Sequence, residues 1–533
     1  MPSAIEPLRS PVFRGLWLAW LAANITMWMN DVAAAWLMTT LTDSTVMVAL
    51  VQAASTLPVF LLGLPSGALA DIVDRRRYFA VTQLWVACVA VVLSLLAAFS
   101  LLTAPLLLLL TCANGVGMAM RWPVFAAIVP EVVPRHQLPQ ALALNGVSMN
   151  MSRVIGPVVA GALLAGAGSA FVFLINAVLA IVAFTLIVRW KSQRRVSALP
   201  GERFVGAMRV GLQHVMQSPR MKRVLLRIFL FFFQSTALLA LLPLVAREMH
   251  GGGPGTFTLL LGSMGAGAVV AALSVSRLRD RVSRDQFVRA GTLTHAAMSI
   301  VVVFSPTLWL SVPAMAVAGM AWIVTANSLT LAAQMALPNW VRARGMSIYQ
   351  MAIMGGSAGG AALWGQVAGV STVPTGITAA ALVGVLLLVL TWKVTVDGGE
   401  DEDHSPVPST RQGPHPFEEP QPDEGPVMVT IEYQIDPDRA DDFKAVMQET
   451  RRARLRQGAL SWGLFRDSAV QGRYIEYFLD ESWVEHLRRH ERFTAADVGL
   501  RERRLAFHLG SEAPRVQRFL GEAVDGHTGG QGL

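Results

Sequence analysis

The chain has 533 residues, of which 53% are hydrophobic and only 15% are charged. Soluble globular proteins contain about a quarter charged residues, so the composition excludes an ordinary soluble enzyme. The charge is also unevenly distributed, because residues 1–396 contain 27 Lys or Arg against 10 Asp or Glu, whereas residues 397–533 contain 17 against 26. The basic residues of the first part separate apolar runs too long for a DNA-binding fold, which excludes a nucleic-acid partner.

Twelve apolar stretches follow one another between residues 16 and 392. Each has about 20 mostly apolar residues, enough to cross a hydrocarbon core about 30 Å thick. The sequence therefore predicts an all-α membrane body of twelve transmembrane helices embedded in a lipid bilayer. The stretches are 16–41, 46–69, 78–102, 106–129, 138–165, 170–188, 224–246, 257–275, 287–304, 308–331, 346–370 and 375–392.

The connections between these stretches alternate in charge. Counted from the N-terminus, the even connections contain the basic residues, and Arg247 is the exception among the odd ones. Because basic loops stay in the cytoplasm, both termini are expected there. Arginine greatly outnumbers lysine, which is typical of a GC-rich bacterial genome, so the expected location is the bacterial inner membrane.

A long central connection, residues 189–220, separates two parts of similar length, 1–188 and 221–392. The similar lengths favour two six-helix bundles related by an internal repeat. Within the connection, apolar residues fall at helical spacing, which predicts an amphipathic helix on the cytoplasmic surface of the membrane. These residues are Phe204, Met208, Leu212, Val215 and Met216.

The sequence changes character after residue 392. Residues 393–426 form an acidic, proline-rich segment, in which 397–426 contain nine acids, one base and seven prolines. That composition is typical of an extended linker. Residues 427–525 then alternate between strand and helix patterns in the order βαββαβ, which predicts a small cytoplasmic α+β domain of ferredoxin-like type. Residues 526–533 are expected to form a flexible tail.

The absence of certain sequence motifs limits the energy sources that the protein can use. No Gly-x-x-x-x-Gly-Lys-Ser/Thr sequence occurs, which excludes an ATP-driven pump of that kind. Both cysteines, Cys88 and Cys112, lie in apolar runs, so no disulfide framework and no thiolate zinc site is expected. No cofactor and no metal is therefore predicted, and an ion gradient is left to drive the protein.

Two motifs in the membrane body point to a family. The first lies at the inner end of the second helix and resembles the signature loop of the major facilitator superfamily; its key residues are Gly67, Asp71, Arg75 and Arg76. The second lies in the fifth helix and resembles the Gly-Pro motif of antiporters in that superfamily; it comprises Gly156, Pro157 and Gly161. Two departures are Ile72, where the family usually has a base, and Asp74, where it usually has glycine.

Two longer segments narrow the resemblance. Residues 123–153 are similar to the subfamily of enterobactin-type siderophore exporters and macrolide efflux pumps, and residues 482–492 are similar to the C-terminal extension of the transmembrane secretion effector branch. The resemblance implies a secondary transporter that exports a small, largely hydrophobic molecule by alternating access, with the proton as coupling ion. Thr111 replaces a membrane arginine of many proton-coupled members, and sodium is compatible with the sequence.

Asp31 is the acidic residue of the first apolar stretch and lies 15 residues beyond Leu16. At 1.5 Å per residue this places it about 22 Å along the helix. An ionised carboxylate facing lipid there costs about 2.5 kcal/mol or more, so it is expected to face water, a partner or substrate. Asn24 lies seven residues earlier on the same face. The pair is a candidate proton or substrate site, and a position near the outer headgroups is the alternative.

Arg153 lies 15 residues into the fifth helix, with Asn150 one turn earlier. It is too deep to reach the cytoplasmic surface readily, so it is expected to contact an anionic substrate, to pair with Asp31, or to tie helices together through backbone carbonyls. Arg121 and Arg227 lie nearer the cytoplasmic ends, where interfacial anchoring is the favoured interpretation.

Two further motifs each allow a functional and a purely structural interpretation. Asp71 is placed to close the cytoplasmic side of the carrier by contacts that break when the cavity opens, whereas Arg75 and Arg76 alone would only fix topology. Gly156, Pro157 and Gly161 favour close helix packing. Packing at the seam between the two halves would also seal the cavity on one side.

The C-terminal domain contains His486 and His490, one helical turn apart. Neighbouring arginines disfavour a metal between them. A docking or regulatory role toward a cytoplasmic partner is the simpler interpretation, and a membrane-anchored enzyme or sensor is the alternative function for the whole chain. Import is the alternative to export.

Overall fold

The structure is a computed structural model that describes residues 6–134, 137–189, 204–249, 252–274, 282–305, 307–338, 340–397 and 420–522. It divides into two compact units. The helical unit comprises Met1–Val196, Arg223–Gln334 and Met346–Asp397, and the α+β unit comprises Ser197–Lys222, Met335–Gly345 and Gly398–Leu533. Each unit is described by itself.

Long α-helices make up the helical unit. In chain order they are α1 (Pro11–Leu41), α2 (Thr45–Ile72), α3 (Arg75–Ala98), α4 (Ala104–Val132), α5 (Leu138–Gly166), α6 (Ser169–Arg189), α8 (Pro219–Glu248), α9 (Pro254–Ser274), α10 (Arg284–Phe304), α11 (Leu308–Met335), α12 (Arg342–Val370) and α13 (Val373–Leu390). The intervening α7 (Phe204–Gln217) belongs to the α+β unit.

Short polar residues explain where several of these helices begin. The Ser44 hydroxyl accepts from the Met47 N–H, and the Asp74 carboxylate accepts from the Arg77 N–H at 2.9 Å. Ser283 and Gln286 form a reciprocal capping box at the start of α10. Each cap satisfies a backbone donor that the first turn of a helix leaves without a partner.

Ten of the described helices are long and apolar enough to cross a membrane. The helices α1 and α12, with 31 and 29 residues, are also long, but they are not among the ten. Polar residues interrupt α1 at Asn24, Asn30 and Asp31, and α12 begins with two arginines and is rich in glycine.

The chain stays fixed to the helical unit just beyond α13. The Asp285 carboxylate accepts from the backbone N–H groups of Val396 and Asp397, and Arg284 forms an ion pair with the Asp397 carboxylate at 3.0 Å. Arg227 donates to the carbonyls of Thr391 and Val394. The first residues of the expected linker, 393–397, therefore belong to the folded helical unit, and 398–419 lie outside the described residues.

The α+β unit contains a four-stranded antiparallel sheet in the order β2-β3-β1-β4. Its elements are β1 (Val427–Gln434), α14 (Ala440–Arg456), β2 (Ser461–Arg466), β3 (Arg473–Asp480), α15 (Trp483–Glu491), α16 (Ala495–Leu505) and β4 (Val516–Leu520). Alternate residues of β1 and β3 are buried, and Phe443 and Met447 of α14 pack in the same core. This alternation is the pattern of a sheet with one face covered by helices.

Helix α7 packs against α14 of this domain. Val210 is buried, the Arg209 guanidinium lies 2.6 Å from the Glu481 carboxylate, and a His214 ring nitrogen lies 3.3 Å from the Arg456 carbonyl. The expected membrane-facing residues Leu212 and Met216 remain 44% and 54% exposed. One face of α7 is therefore covered by the domain, and contact of its apolar stripe with the membrane stays a prediction.

Candidate functional site

Amide side chains are buried in the middle of the first bundle. Asn24 and Asn30 come from α1, Asn114 from α4 and Asn176 from α6, and each is at most 6% exposed. Three of them line a small cavity with room for about one water molecule, together with Arg121. No described residue bonds to the amide nitrogens of Asn24, Asn30 and Asn176. Since buried polar groups normally have partners, this cavity is suited to a bound water molecule.

Arg121 organises this cluster. One terminal nitrogen donates to the Ala23 carbonyl at 2.7 Å, and the other lies 3.5 Å from the Asn24 amide oxygen. The guanidinium also lies 5.5 Å from the centre of the Trp20 ring. With only 1% of its surface exposed, Arg121 is not the interfacial anchor that its position in the sequence favours.

Asp31 is electrostatically coupled to Arg121. One of its carboxylate oxygens is buried and has no hydrogen-bond partner among the described residues. Asn24 therefore contacts Arg121, and the role of Asn24 and Asp31 as a proton or substrate site stays a prediction. The side chain of Asn150 lies outside the described part of the structure.

Arg153 lies apart from this cluster, where α5 meets α1 and α11. Its guanidinium carbon is 5.4 Å from the centre of the Trp28 ring of α1 and 4.6 Å from that of the Trp322 ring of α11. Two of its nitrogens, Nε and Nη1, are buried and have no acceptor among the described residues. An arginine between two indole rings is held by cation–π attraction while its donors remain available.

The Gly-Pro motif places α5 in close contact with two other helices. A Cβ atom at Gly156 would come within 2.5 Å of the Trp28 Cβ, and one at Gly161 would overlap Thr258 of α9. A Cβ at Gly265 of α9 would lie 3.5 Å from the Arg153 carbonyl. Gly156 thus packs inside the first bundle, whereas Gly161 lies on the seam between the bundles. Pro157 lies inside α5.

The structure describes some of the side chains around the loop after α2. Arg76 donates to the Val188 carbonyl at the end of α6, and Arg75 also has an interaction partner. Gly67 lies in the last turns of α2, and the side chain of Asp71 lies outside the described part. The contact of Arg76 is internal to the first bundle. The closing role expected for Asp71 stays a prediction.

Arg247, at the far end of α8, contacts the end of α1. Its Nη1 donates to the Thr39 carbonyl at 2.8 Å and lies 3.6 Å from an Asp43 carboxylate oxygen. This contact joins the two bundles at the end opposite the basic loops. It gives Arg247, the exception in the charge pattern of the connections, a local partner.

The histidines of the C-terminal domain are occupied by their neighbours. His486 Nδ1 lies 2.8 Å from an Asp480 oxygen, and Arg518 donates to His486 Nε2 at 3.1 Å. Burial first, and then the charge of Arg489, lower the pKa of His490 to about 3. In the described residues no group of three or more His, Cys, Asp or Glu side chains is placed to hold a metal ion.

A second buried cluster surrounds Glu476 of β3. Its carboxylate accepts from Arg454 at 3.0 Å, from the Trp462 indole at 3.1 Å and from the Tyr433 hydroxyl at 2.9 Å. Burial alone would raise the pKa of Glu476, but the charges of Arg454 and Arg504 outweigh it, and the pKa falls to about 2. The carboxylate is therefore ionised at neutral pH and holds the sheet to α14.

Sequence reasoning missed Arg121, Asn114 and Asn176 as members of the buried cluster. A signal was present, since Asn114 and Arg121 are seven residues apart and therefore share a helix face, as do Asn24 and Asp31. Trp28 and Trp322 carry no such signal, because tryptophan is common throughout the apolar stretches.

Comparisons with known proteins agree with this architecture. Residues 2–525 match the model of the family described as "Transmembrane secretion effector". The chain is 23% identical over 322 residues to Macrolide efflux protein A of Streptococcus pyogenes, covering 56% of this chain and 78% of that protein. It is 21% identical to the Staphyloferrin A transporter of Staphylococcus aureus, covering 47% of this chain and 63% of that protein.

A solved structure shows the same fold. The crystal structure of the nucleoside transporter NupG aligns with a TM-score of 0.61 at 11% identity, covering 72% of this chain and 99% of that one. The resemblance that the signature motifs carry is confirmed by the family match. The chain is a multi-pass membrane protein that belongs to the transmembrane secretion effector family of the major facilitator superfamily, a family of transporters and not of enzymes.

Proposed function

We propose that the protein exports small, largely hydrophobic molecules across the bacterial inner membrane in exchange for protons. Twelve transmembrane helices form two six-helix bundles, residues 1–188 and 221–392, with both termini in the cytoplasm. One relative supports this direction, since it is named for macrolide efflux, and another is named as a staphyloferrin A transporter. The observation that carries the proposal is the placement of Asp31 and Arg121: a carboxylate oxygen of Asp31 is buried without a hydrogen-bond partner among the described residues, and Arg121 lines the polar cavity.

The pair provides a site where a proton changes the balance of charge. An ionised Asp31 attracts Arg121, which in turn bonds α4 to α1 through the Ala23 carbonyl. Protonation removes that attraction and leaves Arg121 as an uncompensated cation in the bundle. Because a two-state carrier responds to any ligand that prefers one state, binding and release of the proton bias the inward-open and outward-open states differently.

The test is transport in proteoliposomes under an imposed pH gradient, with a macrolide and a siderophore among the substrates. We expect gradient-driven flux in the unchanged protein and loss of the pH dependence in Asp31→Asn, because the amide binds no proton. Asp43→Asn is the matched control, since Asp43 follows the end of the same helix and is exposed. Flux driven equally well by a sodium gradient alone, or a pH dependence retained in Asp31→Asn, would refute proton coupling at this site.

The C-terminal domain has an accessory role in this proposal. Its strand order and its βαββαβ sequence support a ferredoxin-like fold. The residues that its histidines contact are its own, and α7 from the central connection docks on it. These contacts support a cytoplasmic domain that fixes the connection between the two bundles and offers its remaining surface to a cytoplasmic partner.

A further inference from the structure

Arg153 is a partly buried cation that forms no ion pair with a carboxylate among the described residues. Its Nε and Nη1 atoms have no acceptor among the described residues. A buried hydrogen-bond donor without a partner is energetically unfavourable, and a charged donor is more so. A ligand that accepts hydrogen bonds from Arg153 removes this cost, because no described residue accepts from these two atoms.

The surroundings of Arg153 define the shape of that ligand. Trp28 belongs to the first bundle and Trp322 to the second, and their ring centres lie 5.4 Å and 4.6 Å from the guanidinium carbon. Guanidinium groups bind carboxylates through two parallel hydrogen bonds, and indole rings bind apolar and aromatic groups. The seam thus combines an anion-binding head with two flat apolar walls.

We propose that the exported substrate carries a carboxylate or an equivalent oxygen anion, which binds Arg153, and that the apolar part beside it packs between Trp28 and Trp322. This inference rests on the proposed export function and adds the chemical class of its substrate. Because each bundle contributes one indole, a ligand held at Arg153 contacts both halves of the carrier. Binding there favours the state in which the two indoles are close, which is how a carrier converts substrate binding into a change of state.

A purely structural role for Arg153 predicts something different. If the cation–π contacts only fix α5 at the seam, replacement of Arg153 lowers stability and reduces the binding of charged and neutral ligands alike. If Arg153 binds an anion, replacement reduces the binding of the charged ligand selectively. The difference between two ligands with the same apolar body therefore separates the two roles.

The experiment uses the full chain in detergent with pyrenebutyrate and its methyl ester, which differ in the carboxylate. Quenching of tryptophan fluorescence reports binding. We expect the acid to bind about tenfold or more tightly than the ester, because the ester cannot form the charged hydrogen-bonded pair with the guanidinium. In Arg153→Gln this preference should disappear, while the ester should bind within about twofold of its original affinity. Arg153→Lys, which retains the charge but not the planar fork, should keep part of the preference.

Arg289→Gln is the matched control, since Arg289 also stacks on a tryptophan, Trp392, at 4.1 Å, but at the end of a helix. It should keep the full preference for the acid. Equal binding of acid and ester, no saturable binding of the acid, or a preference that survives in Arg153→Gln would each overturn the inference. The assay uses no ion gradient, so failure of proton-driven export in proteoliposomes and failure of anion binding are separate results.

Discussion

Two arginines of the helical unit, Arg121 and Arg153, differ in the residues that surround them. Arg121 donates to the Ala23 carbonyl and is coupled to Asp31, so the protein itself supplies its partners. Arg153 has two indole rings and leaves Nε and Nη1 without an acceptor in the described part of the chain. Since ionisable residues within a membrane are costly, the one with fewer protein partners is the stronger candidate for a ligand contact.

Glu476 gives a prediction for the stability of the C-terminal domain. Its pKa is lowered to about 2 in the folded state, against an ordinary value of 4.5, so the ionised form stabilises the fold by about 3 kcal/mol. That contribution is fully present above about pH 4.5 and is lost as the pH falls through the folded pKa near 2. Glu476→Ala should destabilise the domain by about 3–5 kcal/mol, because it leaves Arg454 buried without its partner.

Hydrogen exchange of the full chain measures this effect, with faster exchange expected in the peptides of β1 and β3. Glu449→Ala is the control, because the ion pair between Glu449 and Arg503 is about half exposed on both sides and exposed pairs contribute little. Equal effects of the two substitutions would show that the buried cluster does not hold the sheet to α14.

At the scale of elements, the contact between α5 and α9 is set by the absence of a side chain at Gly161. Gly161→Ala places a methyl group on Thr258, whose hydroxyl is already bonded to the Pro254 carbonyl. Overpacking of this kind costs about 1–3 kcal/mol, and here it acts on the seam between the bundles. We expect export to fall at least tenfold, because the state with α5 and α9 in contact becomes less populated.

Gly146→Ala in the same helix is the control, since no atom lies within 4 Å of the position of the added methyl group. Thr258→Gly should restore export to Gly161→Ala by removing the obstructing side chain. Both variants and the control are compared in the same proteoliposome assay. Normal export by Gly161→Ala would mean that the seam adjusts to the added volume and does not limit the transport cycle.

Helix α7 is held to the C-terminal domain by a pair of opposite charges that can be exchanged. Arg209 lies 2.6 Å from Glu481, and each side chain is about 30% exposed. Arg209→Glu should weaken the docking and raise hydrogen exchange in α7 several-fold, because two like charges then face each other. The double variant Arg209→Glu with Glu481→Arg should restore the slow exchange, and failure to do so would show that the ion pair is not what Arg209→Glu disrupts. Unchanged exchange in Arg209→Glu alone would show that the apolar contacts of Val210 suffice.

At the scale of the whole molecule, the chain joins a membrane transporter to a separate α+β unit. Deletion of residues 398–533 removes the sheet and its helices but leaves every residue proposed to bind proton or substrate. We expect transport to be retained within about threefold and hydrogen exchange in α7 to increase, because its docking surface is gone. Loss of transport from a variant that still inserts into the membrane would show instead that the domain takes part in the cycle.

The sequence by itself determined the family, the strands of the C-terminal domain and the ten described helices that are long and apolar enough to cross a membrane. Apolar length, loop charge and period-two alternation are local patterns, so they can be read without knowing which elements meet. The four strands expected within residues 427–525 are present in the structure.

The tertiary structure decided which polar residues meet. Arg121 donates to the Ala23 carbonyl of α1, Trp322 of α11 lies over the Arg153 guanidinium of α5, and His486 contacts Asp480 and Arg518. Each of these contacts joins different elements of the fold. Contacts of this kind depend on how helices rotate and pack against each other, and neither leaves a periodic pattern in a single sequence. The residues that make up the site can therefore be identified only from the tertiary structure.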